Sequence, residues 1–483
     1  MKLHSEILRG LKWTAGAKLG GQLITWGVTI YVMRLLSPGD YGLMAMATVF
    51  LALLGMFSEV GLGPALVQSA DLSTQALRRA YGIVWLVNLA LFGLVNLLAD
   101  PIATFYAEPK LVPVFRVLTL QFLIIPLGVV PEVLLARKLD YKHRSLSEFT
   151  SAIASSVVTL GMAMDFGVWS LVWGNLATLV CRVGMLNVLA PFRVLPSFSL
   201  GGMRKLVVFG GNVTASRLLW FMFMQADAVI VGRLLGEHVL GLYSVALHLA
   251  SLPVQRISGI LNQVVFPAAS RFQHDKETIR IQLLKALGYI SLIAFPLLWG
   301  MSCVAYELIP VLLGAGWGDA ILPFQILTLV MPFRMIVSIL PTITDALGRS
   351  EVSMRNSLLG CVVMPIAFYI GSHWGIVGVA YAWLSAYPVV LFINLRRMLV
   401  VIGIPLMDVV RQVMPALVAA AGMYGVVWGG RMAWGASQAP ALALAAEIAA
   451  GVCGYVAFSL VCNRTLVLEL LRQVRPKRPS LET

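Results

Sequence analysis

The sequence predicts an all-α polytopic membrane protein with about 14 transmembrane helices, and its composition and hydropathy pattern support that fold class. Of the 483 residues, 59% are hydrophobic and only 12% are charged, about half the charged fraction of a soluble domain. These values exclude an ordinary cytosolic enzyme, a disulfide-rich secreted domain and a disordered protein. The apolar runs are continuous rather than alternating, which excludes a transmembrane β-barrel.

Each apolar run must be helical, because lipid offers no hydrogen-bond partner to the backbone. The segment 206–235 differs from the other candidate spans, because it is long and contains both Arg217 and Asp227. The fourteen candidate spans are residues 14–33, 41–62, 80–99, 112–135, 147–165, 168–190, 206–235, 239–260, 283–304, 320–345, 354–371, 375–395, 412–430 and 440–462.

The net charge of +14 is distributed unevenly along this predicted topology. Of the 36 cations, 26 fall on one set of loops and chain ends, four on the opposite set and six within spans. Because cytoplasmic loops carry an excess of Lys and Arg, both termini are predicted to be cytoplasmic. Topology therefore accounts for the basic charge, and we expect no nucleic-acid partner.

The chain also contains an internal repeat. Residues 34–43, RLLSPGDYGL, recur 199 positions later as RLLGEHVLGL in residues 233–242, and the segment at Gly167 recurs 208 positions later at Gly375. A period of six spans predicts two parallel six-helix lobes, residues 1–195 and 196–400. Residues 401–483 then form an extra helix pair and a basic cytoplasmic tail. Parallel repeats of this kind are typical of transporters that bind substrate near the membrane midplane by alternating access.

Cations within spans are the candidate substrate-binding residues, because a charge at membrane depth is costly. Lys18 and Arg217 are separated by the repeat offset of 199, so each lobe carries one at the same depth. Such a pair suits an anion with two phosphates. Arg256 can extend the same basic wall, and Arg256 and Arg334 can assist in binding further along the cleft. In the alternative interpretation, each cation pairs with an acid of its own lobe, for example Lys18 with Glu59.

Three candidate acids lie within spans: Glu59, Asp227 and Glu447. Glu59 and Asp227 are the candidates for coupling transport to a proton or Na⁺ gradient. In the alternative, they form salt bridges that position Lys18 or Arg217. Glu447 lies in the extra C-terminal pair, and the sequence predicts no role for it.

Motifs for catalysis and for cofactor binding are missing from this sequence. It contains no G-x-x-x-x-G-K-[ST] and no H-E-x-x-H, and its five cysteines have no C-x-x-C spacing. We therefore expect no catalytic residue, no metal site and no cofactor, and a transporter rather than an enzyme.

Three stretches carry a family resemblance: RLLSPGDYGLMAMA at 34–47, ARKLDYKHRSL at 136–146, and DAVIVGRLLG at 227–236 followed by LGLY at 240–243. With them, the chain resembles the Wzx-like oligosaccharide flippases and polysaccharide exporters of the multidrug/oligosaccharidyl-lipid/polysaccharide superfamily. The resemblance implies a bacterial inner-membrane protein that flips an undecaprenyl-diphosphate-linked oligosaccharide for lipopolysaccharide or exopolysaccharide synthesis. Its partners would be that lipid-linked substrate, membrane lipids and a polysaccharide polymerase or export machinery.

Alternative functions remain open at this point. A lipid II flippase suits a basic cleft equally well. Multidrug cation efflux is disfavoured, because the six cations within spans outnumber the three candidate acids. A membrane glycosyltransferase, polymerase or ligase would need catalytic groups in a sizeable polar loop, and the outer loops are short.

Overall fold

A computed structural model describes residues 20–22, 24–58, 66, 73–138, 140–192, 194–198, 204–271, 275–434, 440–464 and 466. Within these ranges the secondary structure is helical and contains no strand, which confirms the predicted all-α class. The chain divides into two compact units, Met1–Ser244 and Val245–Thr483.

The helices are numbered in chain order within the described ranges. They are α1 (residues 24–35), α2 (Pro38–Ser58), α3 (Thr74–Tyr106), α4 (Leu111–Leu118), α5 (Gln121–Arg137), α6 (Tyr141–Ala163), α7 (Val168–Leu189), α8 (Arg204–Arg271), α9 (Lys276–Cys303), α10 (Ala305–Leu313), a 3-10 helix (Ala315–Ala320), α11 (Ile321–Val337), α12 (Leu340–Ala346), α13 (Ser350–Ser372), α14 (Gly375–Ile402), α15 (Leu406–Trp434) and α16 (Pro440–Cys462).

Twelve helical segments among the described residues are long and apolar enough to cross a membrane. One of them, Phe221–Gly259, overlaps two of the predicted spans, 206–235 and 239–260, and α1 overlaps the predicted first span. These segments therefore agree with the prediction of about fourteen spans. The side of the membrane on which the termini lie, and the lobe boundaries at residues 195 and 400, stay predictions.

Helical hairpins and their neighbours form the core of each unit. In the first unit, α6 packs against α7, and α5 packs against both α3 and α7. In the second, α13 packs against α14, while α9 packs against α11 and α15. Large apolar side chains fill these contacts, and Phe115, Phe122, Phe295, Phe324 and Phe368 are fully buried.

Backbone breaks recur at the repeat offsets. Helix α8 is interrupted at Gly236, whose φ of 85° favours glycine, and the equivalent break between α1 and α2 lies at Ser37, 199 positions earlier. Gly167 and Gly375, 208 positions apart, have φ of 51° and 69° at the starts of α7 and α14. Helix breaks and glycines of positive φ therefore recur at equivalent positions of the two repeats.

The two copies of the R-L-L repeat also contact each other, within the first unit. A Cβ atom on Gly42 would overlap the carbonyl oxygen of Glu237, and one on Gly241 would overlap the carbonyl oxygen of Pro38. Pro38 and Glu237 are repeat equivalents, as are Gly42 and Gly241. The contact is therefore reciprocal, as expected where a local two-fold axis relates two helix starts. We call these four residues the repeat crossing.

Candidate functional site

The side chains of three of the six predicted site residues lie outside the part of the chain that the structure describes. Lys18 and Glu59 lie outside the described residues. Arg217 lies in α8, and its side chain is also outside the description. Their roles therefore stay predictions.

Asp227 is buried inside the first unit, with 1% of its surface exposed. Its Oδ2 accepts a hydrogen bond from the Tyr243 hydroxyl at 2.7 Å, and its Oδ1 accepts one from the backbone N–H of Ala228 at 2.8 Å. Sixteen residues of uninterrupted helix span about 24 Å, so Tyr243 reaches Asp227 because the chain reverses at Gly236. The carboxylate is thus held at a helix reversal by a hydroxyl group.

Arg334 is half-buried in α11 of the second unit. Its guanidinium carbon lies 4.6 Å from the ring centroid of Trp383, a buried side chain of α14. A guanidinium over an aromatic face is held by cation–π attraction. This arrangement fixes the position of a cation within the helical bundle, as an anion-binding residue requires.

Arg256 is exposed in the part of α8 that belongs to the second unit. Two residues further, the Ser258 hydroxyl is 2.8 Å from that of Ser338, which lies one turn after Arg334. This hydrogen bond sets the helix of Arg256 beside the segment that carries Arg334. The structure therefore places these two predicted cations on neighbouring segments of one unit.

The predicted spans contain further acids besides Glu59, Asp227 and Glu447. Glu132 lies in α5, inside the predicted span 112–135, and its two oxygens are each 2.8 Å from Arg182 Nη2. Its Oε1 is also 3.3 Å from Arg144. Glu132 thus ties α5 to α6 and α7, and Arg182 is ion-paired rather than simply extended to the membrane surface. The feature of the sequence that identifies Glu132 as a candidate is its position within an apolar run.

A second charged cluster contains Glu447, for which the sequence predicts no role. This buried carboxylate of α16 accepts a hydrogen bond from Arg431 Nε of α15 at 3.1 Å, and Arg431 Nη2 also pairs with Glu307 of α10. The Tyr306 ring centroid lies 5.0 Å from the guanidinium carbon. One cation therefore serves two carboxylates, which connects the C-terminal helix pair to the rest of the second unit.

At the repeat crossing, Glu237 forms a further ion pair within the first unit. The Lys110 ammonium lies 3.3 Å from Glu237 Oε1, and this hydrogen bond raises the pKa of Lys110. Asp40, in the first repeat copy, accepts a hydrogen bond from the backbone N–H of Val168 at 2.9 Å. Polar contacts therefore connect the crossing to the starts of α4 and α7.

Metal binding finds no support in the part of the chain that the structure describes. No group of three or more His, Cys, Asp and Glu side chains there is arranged to hold a metal ion.

Comparison with known proteins gives one family match and several relatives. The model of the family described as "Polysaccharide biosynthesis protein" matches residues 31–322. The chain is 25% identical over 402 residues to the lipopolysaccharide biosynthesis protein WzxC of Escherichia coli (strain K12), covering 80% of this chain and 79% of WzxC. It is 25% identical over 388 residues to the succinoglycan biosynthesis transport protein ExoT of Rhizobium meliloti (strain 1021), covering 78% of this chain and 77% of ExoT.

Among solved structures, the fold is similar to that of the lipid II flippase MurJ in an inward closed conformation. The TM-score is 0.75 at 15% sequence identity, and the match covers 94% of this chain and 99% of MurJ. At this identity the similarity describes the fold. The arrangement of helices is therefore shared with a polytopic membrane transporter over nearly the whole chain.

Proposed function

This chain belongs to the polysaccharide biosynthesis protein family, and on that basis we propose that it is a flippase for an undecaprenyl-diphosphate-linked oligosaccharide. Family membership over residues 31–322 is the observation that carries the proposal. The printed names of WzxC and ExoT, for lipopolysaccharide biosynthesis and succinoglycan transport, support a role in surface polysaccharide synthesis. The flippase resides in a bacterial inner membrane, hands its product to a polysaccharide polymerase and catalyses no bond change itself.

The proposed mechanism is alternating access. The diphosphate binds Lys18 and Arg217, with Arg256 and Arg334 assisting, since guanidinium and ammonium groups form charge-assisted hydrogen bonds to phosphate oxygens. The sugar crosses in a cleft while the lipid tail stays in the bilayer. By the predicted topology the repeat crossing lies on the outer face, so it must separate when the cargo leaves outward.

Neutralising Lys18 and Arg217 together is expected to abolish surface polysaccharide while the protein remains in the membrane. The two substitutions, Lys18→Gln and Arg217→Gln, remove the groups proposed to hold the diphosphate. The measurement is surface polysaccharide in a strain whose own exporter is deleted, with immunoblots of membrane fractions. The matched control is Lys138→Gln with Lys142→Gln, two exposed cations near the start of α6. Normal export by the Lys18/Arg217 variant would contradict the anion-binding role.

Asp227 is proposed to couple transport to a proton or Na⁺ gradient. In reconstituted vesicles, Asp227→Asn is expected to reduce the stimulation of flipping by an imposed gradient about fivefold or more, because an amide cannot bind and release a proton. Tyr243→Phe is the control, since it removes the hydrogen bond to Oδ2 but retains the carboxylate. If Asp227→Asn responds to the gradient as the unmodified protein does, Asp227 only positions the helix reversal.

Lipid II is a second candidate cargo, favoured by the fold shared with MurJ. A strain depleted of its own lipid II flippase distinguishes the two. Growth supported by this chain would favour lipid II, and failure to support growth together with restored polysaccharide in an exporter mutant would favour the oligosaccharide.

A further inference from the structure

A basic groove lies between α13 and α14 in the second unit. Its volume is about 530 Å³. Arg355, Arg396 and Arg397 contribute to its lining. The remaining lining is apolar and consists of Val352, Phe392, Ile393 and Val400. We call this site the arginine groove.

Helical spacing explains why these residues meet in one groove. On α14, Phe392, Arg396 and Val400 are four residues apart, and this spacing places them along one face of the helix. On α13, Val352 and Arg355 are three residues apart and share the facing surface. Each helix thus contributes both cations and apolar side chains to the same site.

The positive charge of the groove is only partly balanced by the residues that the structure describes, because Glu351 interacts electrostatically with Arg355 as well as with Arg349. None of the three arginines forms an ion pair with a described residue, and Arg397 makes only a long contact of 3.5 Å to the Asn356 side chain. Glu351, the acid one turn before Arg355, pairs with Arg349 at 3.3 Å. A site with three exposed guanidinium groups therefore has the charge and the N–H donors for a phosphate.

The apolar part of the groove indicates what carries that phosphate. Phe392 is 50% exposed and lies one turn before Arg396, on the side of the helix centre and thus of the membrane interior. A free phosphate has no apolar part to contact this surface. A lipid, in contrast, places its headgroup at the arginines and its hydrocarbon chain along Phe392. Orientation by positive loops requires cations at this end of the helices, but it does not require three of them to converge on one apolar groove.

We propose that the arginine groove binds the phosphate of an anionic lipid, with the acyl or prenyl chain lying against Phe392 and Ile393. Basic pockets between transmembrane helices commonly take such headgroups. The phosphate can belong to a bilayer phospholipid or to a polyprenyl diphosphate, and the site is separate from the six residues predicted for transport. The inference does not depend on the proposed flippase function.

The test is lipid binding to the purified full-length protein in neutral detergent. The probes are dioctanoyl phosphatidylglycerol, undecaprenyl diphosphate and, as the zwitterionic reference, dioctanoyl phosphatidylcholine. We expect binding of the two anionic lipids that weakens with added salt. The variant Arg355→Gln/Arg396→Gln/Arg397→Gln should lose about tenfold or more in affinity for them.

The matched control is Lys138→Gln/Lys142→Gln/Arg411→Gln, which removes three exposed cations elsewhere and changes the net charge equally. It should bind as the unmodified protein does. Equal binding by both triple variants, or equal loss in both, overturns the proposal. If the first triple variant does not fold, Arg396→Gln/Arg397→Gln is measured by the same criterion. Preference for undecaprenyl diphosphate would assign the site to the polyprenyl lipid, and absence of preference to a bilayer phospholipid.

Discussion

Replacing Gly42 or Gly241 with alanine is expected to lower the free energy of unfolding by about 1–3 kcal/mol. A methyl group at either position would overlap a backbone carbonyl oxygen, that of Glu237 or of Pro38. A carbonyl oxygen cannot rotate away as a side chain can, so the two helix starts must separate. Both glycines lie in helices, where alanine by itself would gain about 1 kcal/mol. Thermal unfolding of the purified protein in detergent measures the difference.

The reciprocal contact at the repeat crossing allows a further test with the double variant Gly42→Ala/Gly241→Ala. Because both glycines belong to one contact, the double variant should lose less stability than the two single losses added together. Gly93→Ala in α3 is the matched control, since a Cβ atom there meets nothing within 4 Å. We expect this control to be neutral or stabilising. If Gly42→Ala changed the free energy of unfolding no more than Gly93→Ala does, the repeat crossing would not contribute to stability.

Much of the fold followed from the sequence because lipid imposes a simple rule on it. A long apolar run must become a helix, and the breaks at Ser37 and Gly236 lie between predicted spans, in the matching sequences at 34–43 and 233–242. The breaks inside two predicted spans were not foreseen. The span 112–135 is divided between α4 and α5, and 320–345 between α11 and α12. Hydropathy is insensitive to such breaks because their residues remain apolar.

The partners of charged residues were harder to predict than the helices. Glu132 and Arg182 are 50 residues apart, and Glu307 and Arg431 are 124 apart. Which of several acids meets a given cation depends on how helices pack, and residue type does not encode this. The same limit applies to the repeat crossing, because two similar sequences need not touch. For Arg334, the sequence indicated a cation in mid-span but not the Trp383 ring beneath it.

Replacing Arg431 with glutamine is expected to destabilise the protein by about 3–5 kcal/mol. The substitution leaves Glu307 and Glu447 as neighbouring carboxylates without their shared cation. Glu447 is 4% exposed, so water cannot compensate for the lost partner. Because these contacts join α10, α15 and α16, the C-terminal helix pair should loosen first. Thermal unfolding together with limited proteolysis between α15 and α16 measures both effects.

The charge balance of this cluster predicts a much smaller loss of stability when Glu307 is neutralised. Glu307→Gln leaves one guanidinium paired with one buried carboxylate, so we expect a loss below about 1 kcal/mol. The triple variant Glu307→Gln/Arg431→Gln/Glu447→Gln buries no charge and should be more stable than Arg431→Gln alone, because an unpaired buried charge costs more than a neutral polar group. If Arg431→Gln proves as stable as Glu307→Gln, the guanidinium does not hold the two carboxylates together. A triple variant less stable than Arg431→Gln would instead show that the cluster stabilises the helices through its hydrogen bonds rather than through its charge.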